Sequence, residues 1–261
     1  MRDDRWGSMT ETLLTAALCF SRMAALFVLV PLPGAKSAVT APKVILALLT
    51  TLLLAPVWLP KRPLELSVPA VMFWLLTELM VGLSIGLGVA FLTESFTLAA
   101  QLAGLQAGFS YASTVDPTSQ ADATVLTVIA QLLASLLFFG AGLDREVILS
   151  LATSLETVPP GSVDWGGNRE KVLSQVASLG SAAILTALRL VLPVVGLLAL
   201  VDLSLGLVSR VACQFQLLSA SFPLKAALVL LLLAALVPQM PAIFADAIPR
   251  ARAVWMIWGG R

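Results

Sequence analysis

The sequence has no histidine, which removes the most common general base and a common metal ligand in one step. Cysteine is nearly as scarce. Cys19 and Cys213 stand far apart in apolar surroundings without paired spacing, and they read as small hydrophobes rather than as a disulfide or redox pair. Charge is the third deficit. Only 12% of the residues are Asp, Glu, Lys or Arg, against roughly 25% in an ordinary soluble domain. The net charge is +1 and the bases are scattered, so neither a nucleic-acid patch nor a polybasic lipid-binding cluster is indicated. No Walker A loop, dinucleotide fingerprint, nucleophile elbow or zinc-ligand spacing occurs. These absences argue against an enzyme, against a bound metal or cofactor, and against an energy source within the chain.

What remains is apolar surface. With 261 residues, 59% of them hydrophobic, and a mean hydropathy of +0.96, the chain reads as an all-α, polytopic integral membrane protein. No polar run is long enough to fold around its own core, so residues 1–261 are expected to form one membrane-embedded domain. The first apolar segment follows Arg2 and Arg5 like a signal peptide. Asp3 and Asp4 cancel those charges and Arg22 interrupts the apolar stretch, so it is expected to be retained.

Six apolar segments follow one another. The first runs from Met9 to Val30 and stops at Pro31-Leu-Pro-Gly34. The second, after Pro42-Lys43, ends among the prolines of 56–63 and is short for a crossing, which needs about 20 residues. The third is Val68 to Leu92, with a possible continuation over Thr93 to Leu102 before a break at Gly104. The fourth is Ala123 to Leu143, followed by an interfacial helix from Val147 to Val158 that Pro159-Pro160-Gly161 ends. Residues Ser162 to Glu170 are the best linker candidate. The fifth segment, Lys171 to Leu207, would span roughly 55 Å as one helix, well beyond a hydrocarbon thickness of about 30 Å, and Pro193 and Gly196 are candidate kinks. The sixth is Leu224 to Val237, and prolines break the chain beyond Pro238. With six crossings, the distribution of Lys and Arg puts both termini in the cytoplasm.

Arg22, Glu78, Arg189, Asp202, Arg210 and Lys225 lie within or at the edge of apolar runs, where an unpaired charge costs several kcal/mol. They are expected either to form a proton or ion relay, or to pair with charges on neighbouring subunits or snorkel to an interface. The excess of bases among them favours partners outside the chain. Gly82 and Gly86, with Glu78 four residues earlier, share a helical face that should meet another helix, and Gly104 and Gly108 repeat the spacing.

The stretch from Gly104 to Asp122 differs from its surroundings. It is small and polar, lacks Lys and Arg, and carries the turn signal Asp116-Pro117. Irregular backbone at membrane depth must face protein or a water-filled cavity. Phe109, Tyr111, Ala112 and Val115 are suited to a dewetted constriction, while Ser110, Ser113 and Thr114 are suited to bonding the exposed backbone. An ordinary connection between two spans is the plain alternative.

Together the motifs resemble the FliR family of flagellar export-apparatus proteins, related to the SctT components of type III secretion. The resemblance covers nearly the whole chain: Ser21-Arg22-Met23 leading to Pro31, Ala41-Pro42-Lys43-Val44, Glu78 with Gly82 and Gly86, Gly104-Leu-Gln-Ala-Gly-Phe-Ser-Tyr-Ala with Asp116-Pro117, Leu137-Phe138-Phe139, Ser154 to Pro159, Arg210 to Gln214, and Phe222-Pro223-Leu224-Lys225. Two positions depart from it. Leu143-Asp144 stands where Gly-His is common, and Cys213 stands where a proline commonly precedes Gln214.

The resemblance implies a component of the export gate in the bacterial inner membrane at the flagellar basal body. Its partners would be FliP-like, FliQ-like and FlhB-like proteins, membrane lipid, and unfolded proteins in transit, with no nucleic acid. It further implies helical hairpins packed into a ring-like assembly, partly lifted out of the bilayer, which would account for the short second and overlong fifth segments. The family's plug loop maps onto Phe109, Ser110, Tyr111, Ala112, Ser113, Thr114, Val115 and Asp116, with Pro117 closing the motif. Under this reading Arg22, Glu78, Arg210 and Lys225 anchor subunit contacts. The competing reading is a secondary transporter or ion channel for a small solute, with Glu78 or Asp202 at a pocket within the chain. A purely structural scaffold is a third.

Overall fold

A computed structural model of the protein describes residues 3–31, 41–55, 67–109, 125–162, 165–211 and 217–259, with the backbone alone at 3–9, 165–169, 210–211, 217–220, 222 and 259. Every regular element among them is helical. In order they are α1 (Asp3–Leu29), α2 (Ala41–Leu53), α3 (Val68–Ala107), α4 (Val125–Gly140), α5 (Leu143–Thr157), α6 (Trp165–Val211), α7 (Leu217–Leu236), a 3-10 turn (Val237–Gln239) and α8 (Met240–Gly259).

All six apolar segments form helices, but among the described residues fewer than six stretches are long and apolar enough to cross a bilayer. By length and composition four of them qualify: Thr10–Leu29, Val68–Ala107, Glu170–Ser209 and Pro223–Trp258. A fifth arises if α4 and α5, bent by 65° at their junction, act as one span. The bend falls at Gly140-Ala-Gly142, where Gly142 takes φ 68 and returns its N–H to the Phe139 carbonyl at 3.0 Å. A side chain there would be strained. At 13 residues, α2 is too short to cross alone.

The helices also run further than their punctuation suggests. No break occurs at Gly104. α3 continues to Ala107, and Gly108, at φ 85, ends it. The expected linker over Ser162 to Glu170 shrinks, because α6 already begins at Trp165. Gly166 and Gly167 cost about 1 kcal/mol each in a helix, and the long apolar stretch that follows offsets that cost by packing. Pro193 does not divide α6, which is helical through to Val211. In the C-terminal stretch Pro241 sits in the first turn of α8, where no intrahelical N–H is needed, and Pro249 lies inside the helix.

The chain divides into two compact units. The first comprises Met1–Phe91, Phe138–Gly180 and Pro249–Arg261. Its core contains Leu18, Met23, Leu26, Ile85, Leu143, Leu151, Leu155 and Trp258, all essentially inaccessible. Within it α1 and α3 meet through glycine: a Cβ on Gly82 would lie 2.1 Å from the Arg22 carbonyl oxygen, and one on Gly86 3.0 Å from that of Leu26. Two α3 glycines four residues apart thus sit over two α1 carbonyls with the same spacing. α2 packs beside α1, and the buried Lys43 donates from Nζ to the Val28 carbonyl at 2.7 Å. This satisfies a carbonyl that the end of α1 leaves without a helical partner.

The second unit comprises Leu92–Leu137 and Ser181–Ile248. Buried Phe96, Ala99, Ala100 and Ala103 of α3 line a small cavity of about 30 Å³ with Leu190, Val191 and Val194 of α6 and Met240 of α8. Phe96 and Phe244 pack ring to ring at 5.6 Å. Alanine on this face of α3 lets its neighbours approach closely. Many apolar side chains remain exposed in both units, among them Phe73, Leu136, Leu200 and Leu203, as expected of helices that face lipid or other chains.

Candidate functional site: buried charges and the end of α3

Arg22 lies in the middle of α1, and its aliphatic stem follows the face that carries Leu18, Cys19 and Leu26 inward. Its guanidinium cannot remain bare there. Nε donates to Glu78 Oε2 at 2.5 Å, and both side chains are wholly excluded from solvent. The remaining donors reach the C-terminal end of α5: Nη1 contacts the Ser154 carbonyl at 3.1 Å and Ser154 Oγ at 3.2 Å, and Nη2 contacts the Val158 carbonyl at 3.1 Å. Carbonyls at a helix C-terminus carry negative partial charge, so the cation suits that end.

The second Glu78 oxygen is also occupied. Oε1 accepts the Gly161 N–H at 3.1 Å. That N–H is presented by a turn in which Ser162 N bonds the Pro159 carbonyl at 3.0 Å and Gly161 takes φ 77, the backbone that glycine after proline favours. Three helices and one turn therefore converge on a single ion pair whose hydrogen-bonding groups face protein. Such a cluster holds elements together, and it offers no exposed carboxylate for a proton relay.

The second charge cluster is more open. Asp202 on α6 pairs through Oδ1 with Lys225 Nζ of α7, and its Oδ2 accepts the Gln106 side-chain amide of α3 at 3.3 Å. The Lys225 side chain is 14% exposed and that of Asp202 41%. Asp202 thus meets Lys225 rather than Arg210, of which only the helical backbone is described. Arg189 is exposed on α6 and forms no ion pair with another described residue.

Gly82 and Gly86 lie at the α1 contact given above, and Gly104 is buried in the last turns of α3. Gly108 ends the helix, with its N–H on the Leu105 carbonyl at 3.1 Å, while the Phe109 N–H bonds the Gly104 carbonyl at 3.0 Å. Phe109 is half-buried. Ser110, Tyr111, Ala112, Ser113, Thr114, Val115, Asp116 and Pro117 lie outside the described residues, as does Cys213, whereas Cys19 is buried with a free thiol.

Sequence reasoning missed the tryptophan anchors of α8. Trp255 Nε1 donates to the Ile85 carbonyl at 3.0 Å, and Trp258 Nε1 donates to Ser84 Oγ at 2.7 Å. Thr157 of α5 bonds the Trp258 carbonyl. On the same helix Arg252 makes a two-pronged pair with Glu146, at 2.7 and 2.5 Å. The three-residue spacing of Trp255 and Trp258 was a usable signal that both face one neighbour, whereas the motif from Ser154 to Pro159 carried the resemblance without indicating that it would meet Arg22.

A groove of about 580 Å³ in the first unit runs along α3 and α6, between residues such as Phe73, Met80, Leu87, Val172 and Val176. Its polar lining residues are Thr77 and Ser84, and neither Glu78 nor Asp202 reaches it. The carboxylate pocket that a small-solute transporter would need is therefore not formed there.

The fold defines a polytopic, all-α membrane protein, and its paired charges hold helices together. The family described as Bacterial export proteins, family 1, matches residues 13–251. Among curated relatives, the flagellar biosynthetic protein FliR of Escherichia coli K12 is 32% identical over 221 residues, covering 83% of this chain and 82% of the relative. The protein of the same name from Pectobacterium carotovorum is 28% identical, with 85% and 84% covered, and that of Bacillus subtilis 25%, with 83% of each covered. The chain belongs to the FliR family of bacterial export proteins and is a component of the flagellar export apparatus.

Proposed function

We propose that the chain is a non-enzymatic subunit of the export gate in the bacterial inner membrane, where it assembles with FliP-like, FliQ-like and FlhB-like proteins. Unfolded flagellar proteins pass through that assembly, and energy is supplied by other components. The segment from Phe109 to Pro117 helps plug the pore, by packing aromatic and aliphatic side chains where water would otherwise enter.

The observation that carries this reading is the match to FliR-type proteins along more than four-fifths of both chains. The internal pairing of Glu78 and Asp202 supports it, since carboxylates already occupied by Arg22, Gly161, Lys225 and Gln106 are poorly placed to carry a small solute. The exposed apolar faces of α2, α4 and α6 suit a chain that shares its surface with other membrane subunits.

The test is ion leak across membranes containing the co-expressed complex, comparing the intact chain with a deletion of Phe109 to Val115 while assembly is checked by co-purification. A leak confined to the deletion is expected. No leak, with assembly and export both intact, would reduce the segment to a connection. Solute flux by the purified chain alone that depends on Glu78 would instead favour a transporter.

A further inference from the structure

Glu94 lies in α3, inside the apolar stretch Val68–Ala107, and its side chain is exposed. A carboxylate in such a helix is costly unless it meets an opposite charge, and the chain brings none to it. No Lys or Arg occurs from residue 63 to residue 144, and Glu94 forms no ion pair with another described residue. Thr97, one turn on, supplies a hydroxyl, which does not neutralise a charge. The compact unit that holds Glu94 has three bases, Arg189, Arg210 and Lys225. Lys225 is taken by Asp202. Phe96, Ala99 and Ala103 of α3 line one cavity with Leu190, Val191 and Val194 of α6, so these two faces look at each other. At about 100° per residue, Glu94 stands roughly opposite that face of α3, and Arg189 stands well round from that face of α6. The two charges therefore point outward on opposite sides of the helix pair. From residue 189 to residue 210 α6 advances roughly 30 Å, which puts Arg210 far along the helix from the turn that carries Glu94.

We propose that the outer face of α3 around Glu94 docks a membrane helix of another export-apparatus subunit, and that this helix presents a Lys or Arg to the carboxylate. This rests on the reading of the chain as one subunit of a larger membrane assembly.

The rest of the face decides between occupants. Leu98 is half-exposed, Gln101 and Leu105 are exposed, and all three recur on the same helical stripe as Glu94. Lipid tails suit the two leucines but leave the carboxylate bare. Water suits the carboxylate but not the leucines. A helix that carries one base among apolar residues suits the whole stripe, with charge for Glu94, packing for Leu98 and Leu105, and a hydrogen-bonding side chain for the Gln101 amide. The pairing of Arg22 with Glu78 closes within the chain, whereas Glu94 is left for a neighbour to complete.

The experiment uses the complete co-expressed complex in membranes. The photoreactive p-benzoylphenylalanine replaces Leu98 or Leu105 with Glu94 intact, and the cross-linked segment is identified by mass spectrometry. In parallel, Glu94→Asp, Glu94→Gln and Glu94→Lys are compared for recovery of each partner subunit after a stringent wash. A cross-link to a partner segment that contains Lys or Arg is expected. Recovery of that partner should fall roughly three- to tenfold in Glu94→Gln and tenfold or more in Glu94→Lys, and stay near the wild-type level in Glu94→Asp. Changing the partner's base to Glu should restore recovery with Glu94→Lys. Cross-links only to lipid, to a second copy of this chain or to a segment without a base overturn the proposal, as does wild-type recovery in Glu94→Lys or a reversed pair that restores nothing. If Glu94→Lys is not produced as a stable chain, the cross-link and Glu94→Gln decide. Any of these failures leaves the gate reading standing while the intact chain still co-purifies with FliP-like and FliQ-like proteins. An intact chain that co-purifies with neither overturns that reading as well.

Discussion

Arg22 and Glu78 are 56 residues apart in sequence and 2.5 Å apart in space, with neither side chain reaching solvent. Around them close the last turn of α5 and the turn at Gly161.

Removing one member of this pair leaves an uncompensated charge in a dry interior. Arg22→Leu is expected to destabilise the chain by about 3–5 kcal/mol, read as a lowered midpoint in chemical denaturation of the complex in detergent. Replacing both, as Arg22→Leu with Glu78→Leu, should recover much of the loss. A double variant no better than the single one would show that the hydrogen bonds to Ser154, Val158 and Gly161 matter more than charge balance.

Two helical glycines, Gly82 at the α1 and α3 contact and Gly196 on α6, tolerate a side chain very differently. Gly82→Ala would drive a methyl into the Arg22 carbonyl, at 2.1 Å with the present backbone, and is expected to cost about 3 kcal/mol or more. Gly196 has open space where a Cβ would go, so Gly196→Ala should be neutral or gain up to about 1 kcal/mol of helix propensity. Expression and thermal stability of the two variants, measured side by side, check the contrast.

On α8, Trp258→Phe keeps most of the buried ring but removes the N–H that Ser84 accepts. Ser84 keeps its own donation to the Val81 carbonyl at 2.7 Å, so a loss of only about 1 kcal/mol is expected. Trp258→Ala should cost about 3–5 kcal/mol, because the side chain fills a fully buried space. Equal losses in the two variants would show that the hydrogen bond, rather than the volume, secures the helix.

The pair between Arg252 and Glu146 is two-pronged, where Arg22 reaches Glu78 through Nε alone, and its setting is open, with side chains 45% and 33% exposed. Arg252→Gln is expected to change stability by less than about 1 kcal/mol, and raising the salt concentration should shrink the difference further. A salt-independent loss of the size expected for Arg22→Leu would mean that this pair is covered in the assembled complex.

Much of this protein was set by residue order alone. The apolar runs specified a helical membrane protein, because a bilayer admits backbone only when its polar groups are paired internally. Each of the six runs became a helix. The motifs around Arg22, Glu78 and Gly104 carried the family resemblance, and the four-residue spacing of Gly82 and Gly86 marked a close-packed face. Helix ends were less legible. α3 passes Gly104 and α6 starts before the glycines at 166 and 167, since a single glycine costs less than a packed helix gains. Tertiary structure alone decided the partners. Helical periodicity says which face a charge occupies but not which helix will cover it, so the link from Arg22 to α5, the meeting of Asp202 with Lys225 and Gln106, and the insertion of Trp255 and Trp258 against α3 depended on how closely the helix backbones approach.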